Sequence, residues 1–163
     1  MGEEWGSKAP FPFFCDFEGD LAEAVRQGRR KEFAGAYAKY GAEVPDPLEP
    51  STAKSAALDW DSRDGPSGRR RLALVRELLA IRREKIVPRL AGAAFGEAHA
   101  ADSGLLIANW RMGDGATLHL VANLSKDAAP RPQTEPAGLS IWGGEIAGPL
   151  SPWSVFWRLD SRS

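Results

Sequence analysis

The feature that most constrains this chain is a change in the spacing of its apolar residues near position 90. Before it, Leu72, Val75, Leu79 and Ile86 recur at helical spacing and Leu78 widens the stripe. This spacing predicts an amphipathic helix over 68–86, with Pro88 as its stop. After it the period falls to two. Residues 104–112 read as a strand buried on both faces, 112–116 as a turn, and 117–124 as an alternating strand with Leu118, Leu120 and Leu124 on one side. Leu139–Trp142 reads as a short strand. The closing stretch sets Trp153, Val155, Trp157 and Leu159 on one face, which makes both tryptophans expected core anchors. The chain is therefore expected to be α+β: a helical part over 1–90, then a small antiparallel all-β domain over 91–163 with five to seven short strands.

The helical part is punctuated by turns. Pro10 and Pro12 break residues 1–20 into a loop crowded by Phe11, Phe13, Phe14 and Phe17. Residues 20–40 read as a helix capped by Asp20, with Glu23 placed as in a capping box. Its patchy apolar face is Leu21, Val25, Phe33, Tyr37 and Tyr40, and Gly28 is expected to bend or divide it. Pro45, Pro47 and Pro50 make 41–66 a long connection, with Leu58 and Trp60 as plugs.

Composition excludes several classes. Of 163 residues, 43% are hydrophobic and 26% charged, so disorder is not expected. The single Cys15 rules out a disulfide framework and a multi-cysteine zinc site, and reads as a structural thiol. His99 and His119 form no ligand motif, and His119 reads as a surface or core-edge residue. No apolar run is long enough to span a membrane, and no signal peptide is visible, which makes the cytoplasm the default address. Basic side chains cluster at 69–89, but on the polar face of a helix between two acidic segments, so no nucleic-acid surface is expected. Nucleophile elbows, Walker loops and dinucleotide fingerprints are all missing from the sequence.

Carboxylates beside aromatics remain. Glu3 and Glu4 adjoin Trp5 between two glycines, and Asp16, Glu18 and Asp20 follow the phenylalanine-rich loop. Aromatic faces stack on sugar rings while acids accept from their hydroxyls. Acids at loop ends also cap helices, and the spacing alone leaves both readings open.

Residues 1–17 (MGEEWGSKAPFPFFCDF) resemble the end of the eighth strand and the following loop in the malto-oligosyltrehalose trehalohydrolase family, part of the alpha-amylase superfamily (glycoside hydrolase family thirteen). The resemblance continues through 18–33, 44–47 and 55–60, through the helix at 74–83, and into PWSVFW at 152–157. It implies a fold: the last strand, loop and helix of a (β/α)8 barrel, followed by a small antiparallel β-sandwich. It also implies a parent activity, cleavage of the α-1,4 bond between trehalose and a malto-oligosaccharide, by retaining double displacement with no cofactor and no metal. The family's catalytic carboxylates belong to earlier strands and their motifs are not in this sequence, so no catalytic residue is assigned and the chain alone is expected to be inactive. Glu4, Trp5, Phe14 and Asp16 are the candidates for lining the sugar cleft. The expected partner is the glycosyltrehalose substrate of the full-length enzyme. Self-association is expected through exposed faces carrying Phe13, Phe14, Tyr37 and Tyr40. The alternatives are the C-terminal part of a branching or debranching enzyme, and a non-catalytic carbohydrate-binding or packing module.

Overall fold

The computed structural model describes residues 1–39 and 44–161. Contacts divide the chain into two units, Met1–Arg76 and Glu77–Ser163. The division falls inside a helix, whereas the change of periodicity lies near residue 90.

The first unit opens with a 3₁₀ turn, Glu3–Trp5. No strand precedes Ala94 among the described residues, so the barrel strand expected at the start is not formed; a lone strand has no ladder partner. Helix α1, Gly19–Ala38, is one continuous helix of 20 residues. Gly28 does not divide it: Glu23 accepts from Arg26 and from Gln27, each at 2.9 Å, across the turn that leads to the glycine. Those bonds occupy the Glu23 carboxylate, so the expected capping box is not made. Glu18 is the N-cap residue, without a side-chain cap bond. The half-buried stripe is Ala22, Val25, Arg26, Arg29, Phe33 and Tyr37, while Leu21 is exposed. Tyr40, expected on that face, lies outside the described residues. Pro50 starts the short helix α2, Pro50–Ser55, and a single turn, α3, spans Asp61–Asp64.

Helix α4, Pro66–Ile81, is the basic amphipathic helix. It passes into a π turn, Arg82–Ile86, and a 3₁₀ turn, Val87–Arg89, that contains Pro88. The π turn corrects the expected stripe. With five residues in that turn, Ile81 and Ile86 share a face; Leu79, expected on the apolar stripe and lying before the turn, is 59% exposed.

The second unit holds one antiparallel sheet of strands β1 (Ala94–Ala100), β2 (Leu105–Arg111), β3 (Thr117–Asn123), β4 (Leu139–Trp142) and β5 (Val155–Asp160). Their order is β1-β2-β3-β5-β4. The β2–β3 hairpin pairs all seven residues of each strand. Both outer pairings are irregular: register shifts between Phe95 and Ala98 on β1, and between Ser140 and Trp142 on β4. Strand β1 was not anticipated from its Ala- and Gly-rich sequence, and all seven of its residues are exposed.

Alternation gives the sheet two faces. One carries Trp110, Leu118 and Leu159 in register, joined by Met112 and Ala116, with Ile86, Ile141 and Trp157 packed on them. The Trp110 and Trp157 rings lie 5.7 Å apart. The other face carries Ile107, Val121 and Phe156 in register, covered by Ala129, Ile146 and Leu150. The expected sandwich is therefore corrected. Among the described residues there is a single sheet, and the cover of its second face comes from the loops on either side of β4, joined by one isolated bridge, Ala129 to Leu150. Pro130, Pro132 and Pro136 fall in the first of these loops, and prolines remove the donors a second ladder would need.

Asn123 ties this cover down. Its side chain is fully buried, and its amide donates to the carbonyls of Asp127 (2.7 Å), Leu150 (3.2 Å) and Ser151 (3.1 Å). Its Oδ1 accepts from the Ser125 backbone N–H and hydroxyl. On the same face, His119 stands opposite Asn109 and Arg158. Burial holds its imidazole below the ordinary pKa, partly opposed by the Asp160 carboxylate.

Of the two expected anchors, Trp157 packs on the core. Trp153 does not: it precedes β5, is 68% exposed and has φ 55°, which takes it out of the strand's alternation. Leu124 is likewise exposed, one residue past β3.

Two predictions follow from this packing. Asn123→Ala removes a buried carboxamide and its bonds, while the three carbonyls keep other donors in Ser125, Ala129 and Ser154; it should cost about 2 kcal/mol in urea unfolding, and a loss below about 0.5 kcal/mol would refute the tie. Trp157→Ala should cost about 3 kcal/mol, the low end for a half-buried tryptophan. Trp153→Ala should stay within about 0.5 kcal/mol of the wild type in the same measurement.

Candidate functional site

The aromatic and acidic residues singled out in the sequence all lie in the first unit, around the loop before α1. Local geometry begins with Gly2, whose φ is 81°. A Cβ there would lie 2.6 Å from the Ser7 side chain and 3.2 Å from both Leu58 and Trp5. Only glycine allows this close approach. The turn is closed by Gly6 N–H donating to the Glu3 carbonyl (3.1 Å) and Ser7 N–H donating to the Gly2 carbonyl (2.9 Å).

The turn swings Trp5 inward, to 5% exposure, and leaves Glu3 and Glu4 in solvent. Trp5 stacks on Trp60 with centroids 5.2 Å apart and planes tilted by 36°. Its Nε1–H is closed to solvent and has no partner among the described residues. Trp60, read from the sequence as a plug, is instead 57% exposed. Asp59 fixes the next turn: its Oδ1 accepts the N–H groups of Asp61 (3.2 Å) and Ser62 (3.3 Å). Gly68, at the start of α4, has no room for a Cβ, which would meet the Ser62 carbonyl at 2.3 Å.

Beside Trp5 lies a polar hollow of about 300 Å³, lined by Trp5, Gly6, Lys8, Asp59, Ser62, Ser67 and Gly68. A second hollow, of about 190 Å³, is apolar and includes Phe11, Phe14, Ala53 and Leu58. A third includes Phe13, Phe14 and Arg29. There the Arg29 guanidinium lies over the Phe13 ring at 4.8 Å and the Phe33 ring at 4.1 Å, holding the loop to α1.

The four sequence candidates are not gathered around one hollow. Trp5 borders the polar one and Phe14 the two apolar ones, while Glu4 and Asp16 are exposed and line none of the three. Lys8, Asp59, Ser62 and Ser67 were not singled out in the sequence. The Asp-Trp-Asp-Ser run at 59–62 carried the available signal, as an aromatic among polar side chains. Among the described residues no group of three His, Cys, Asp or Glu side chains could hold a metal ion. No helix there is long and apolar enough to cross a membrane.

A second support lies behind the loop. Asp46 accepts from Arg26 Nε at 2.6 Å and from the Leu48 N–H at 3.0 Å. Its carbonyl accepts the hydroxyl of buried Thr52 at 2.6 Å. Pro47, the next residue, takes the Cys15 N–H at 2.9 Å, so the loop before α1 hangs on this turn. The Leu48 N–H contributes most to holding the Asp46 carboxyl below its ordinary pKa; partial desolvation opposes it and Arg26 reinforces it.

Comparison with known proteins sets this geometry in a class. Residues 93–157 match the family described as Domain of unknown function (DUF3459). A crystal structure from Salmonella typhimurium, provisionally designated an alpha amylase, aligns with 99% of the chain at 38% identity and a TM-score of 0.81; the chain spans 27% of that protein. The fold is thus that of part of an alpha-amylase-like protein. More specifically, the chain is similar to the C-terminal region of malto-oligosyltrehalose trehalohydrolases. It is 34% identical to the Brevibacterium helvolum enzyme over 95% of its own length, and 45% identical to the Deinococcus radiodurans enzyme over 52%. It spans 26% and 14% of those two proteins.

The Asp46 contacts give a pH dependence of known sign. A carboxyl whose folded pKa is depressed stabilises the fold above its unfolded pKa, about 3.9, and loses that contribution as pH falls through the folded value. Asp46→Asn should therefore lower the melting temperature at pH 7, with the gap from wild type closing as pH drops below about 4. An equal gap at pH 7 and pH 3 would show that the charge plays no part.

Proposed function

We propose that this chain is the C-terminal part of a glycoside hydrolase that cleaves the α-1,4 bond joining trehalose to a malto-oligosaccharide and so releases trehalose. The observation that carries the reading is 34% identity to a malto-oligosyltrehalose trehalohydrolase across 95% of this chain. In this reading residues 1–90 belong to the end of a (β/α)8 barrel and residues 91–163 form the β-domain that follows it. The bond-breaking carboxylates of a retaining mechanism are supplied outside these residues. Glu4, Trp5, Phe14 and Asp16 border the sugar cleft of the whole enzyme, Trp5 as the brace for what stands in front of it. The substrate is the glycosyltrehalose, the address is the cytoplasm, and no cofactor takes part. The apolar loop supports the remaining partner proposal, self-association of the isolated chain: Phe11, Phe13, Phe14 and Phe17 are all exposed.

The test is a chimera. The matching region of the Brevibacterium helvolum enzyme is replaced by this chain, and trehalose release from maltotriosyltrehalose is measured. The chimera should retain activity, and the purified 163-residue chain should show none above a blank. A folded, inactive chimera, or hydrolysis by the chain alone, would overturn the reading.

A further inference from the structure

We propose that Trp60 is a stacking platform for a malto-oligosaccharide, with the adjoining polar hollow receiving the sugar's hydroxyls. The choice of sugar rests on the functional reading above; the platform itself rests on geometry.

An exposed tryptophan binds a ring well when its own position is already fixed, because little freedom is then lost on binding. Trp60 meets this condition. It is 57% exposed, and Trp5, itself buried, packs against its ring at 5.2 Å. Its carbonyl accepts the Arg63 N–H at 3.2 Å, and Asp59 on one side and Ser62 on the other are joined by the Ser62 hydroxyl donating to the Asp59 carbonyl at 2.6 Å. The backbone of Trp60 is thus fixed by this turn, and its indole is braced by Trp5.

The hollow next to it has mixed chemistry. Asp59, adjacent in sequence, and Trp5, adjacent in space, both line it, so platform and hollow are contiguous. Lys8 supplies an ammonium donor, Asp59 a carboxylate, and Ser62 and Ser67 hydroxyls that donate or accept. Asp59 works against an anionic ligand and Lys8 against a cationic one. A neutral ligand with one apolar face and several hydroxyls satisfies both, and a pyranose has that form. Its C–H face covers the indole while its hydroxyls meet the charged and hydroxylic rim.

Trp153 serves as an internal control. It is exposed to 68%, but no aromatic ring stacks behind it among the described residues, and it lies in the other unit.

The purified chain is titrated with maltoheptaose by calorimetry, alongside Trp60→Ala, Lys8→Ala and Trp153→Ala, each checked by circular dichroism. Expected is saturable binding by the wild type, weakened at least about tenfold in Trp60→Ala, weakened in Lys8→Ala and unchanged in Trp153→Ala. If Trp60→Ala loses its fold, exposed Lys8→Ala together with Ser67→Ala decides, and wild-type affinity in both overturns the proposal. Absence of saturable binding by the wild type overturns it, as does binding by folded Trp60→Ala equal to wild type. An active chimera with no Trp60-dependent binding removes the platform alone; an inactive chimera removes the functional reading.

Discussion

The β unit depends on the carboxamide of Asn123. The apolar face of Val121 and Phe156 needs a cover, and it comes from the stretches on either side of β4, the first of which carries Pro130, Pro132 and Pro136 and forms no ladder. Its carbonyls must still be paired once they leave water. One primary amide reaches three of them, each of which also accepts from a second donor (the Ser125 hydroxyl, the Ala129 N–H or the Ser154 hydroxyl), and its oxygen accepts from Ser125, so one side chain gathers the carbonyls of this cover at a single point. Ala129, Ile146 and Leu150 are then held where dispersion and burial reward them. Aspartate at that position would keep the shape and turn the donors into acceptors facing carbonyl oxygens.

The first unit is organised differently. It has few fully buried side chains, and its order comes from local devices: the glycine-closed turn at residues 2–6, the Trp5–Trp60 stack, the Arg29 bridge between Phe13 and Phe33, and the Asp46 turn. The last three join the chain before α1 to residues within or after that helix. The loop is irregular in path and fixed in place, which is the combination a recognition surface requires.

Much of this was legible in the sequence where periodicity is strong and local. The β2–β3 hairpin follows from two apolar runs around a Gly-Asp-Gly turn, and β5 from its alternation. What escaped reading depended on distant partners or on backbone detail. Strand β1 has poor strand propensity and exists because β2 offers it a ladder. The π turn that brings Ile81 and Ile86 to one face is a backbone detail that no spacing rule foresees. Trp153 left its expected face because its residue adopts a left-handed backbone just before the strand begins. At the candidate site, Trp5 was visible through its Gly-Glu-Glu-Trp-Gly setting. Lys8, Asp59 and Ser67 were not, since only the fold brings residues so far apart in sequence around one hollow.

The two register shifts on the outer strands have a consequence for the molecule among its neighbours. The interior pairings, β2 with β3 and β3 with β5, are regular, and both irregular ones involve a rim strand. A regular rim would offer an incoming strand evenly spaced donors and acceptors, inviting the sheet to continue from one molecule into the next. A bulge disrupts that spacing and adds local twist. The β1 rim carries Glu97 inside its bulge, so a strand arriving there would also have to strip water from a carboxylate. Among the described residues both margins of the sheet are therefore poor templates for a further strand.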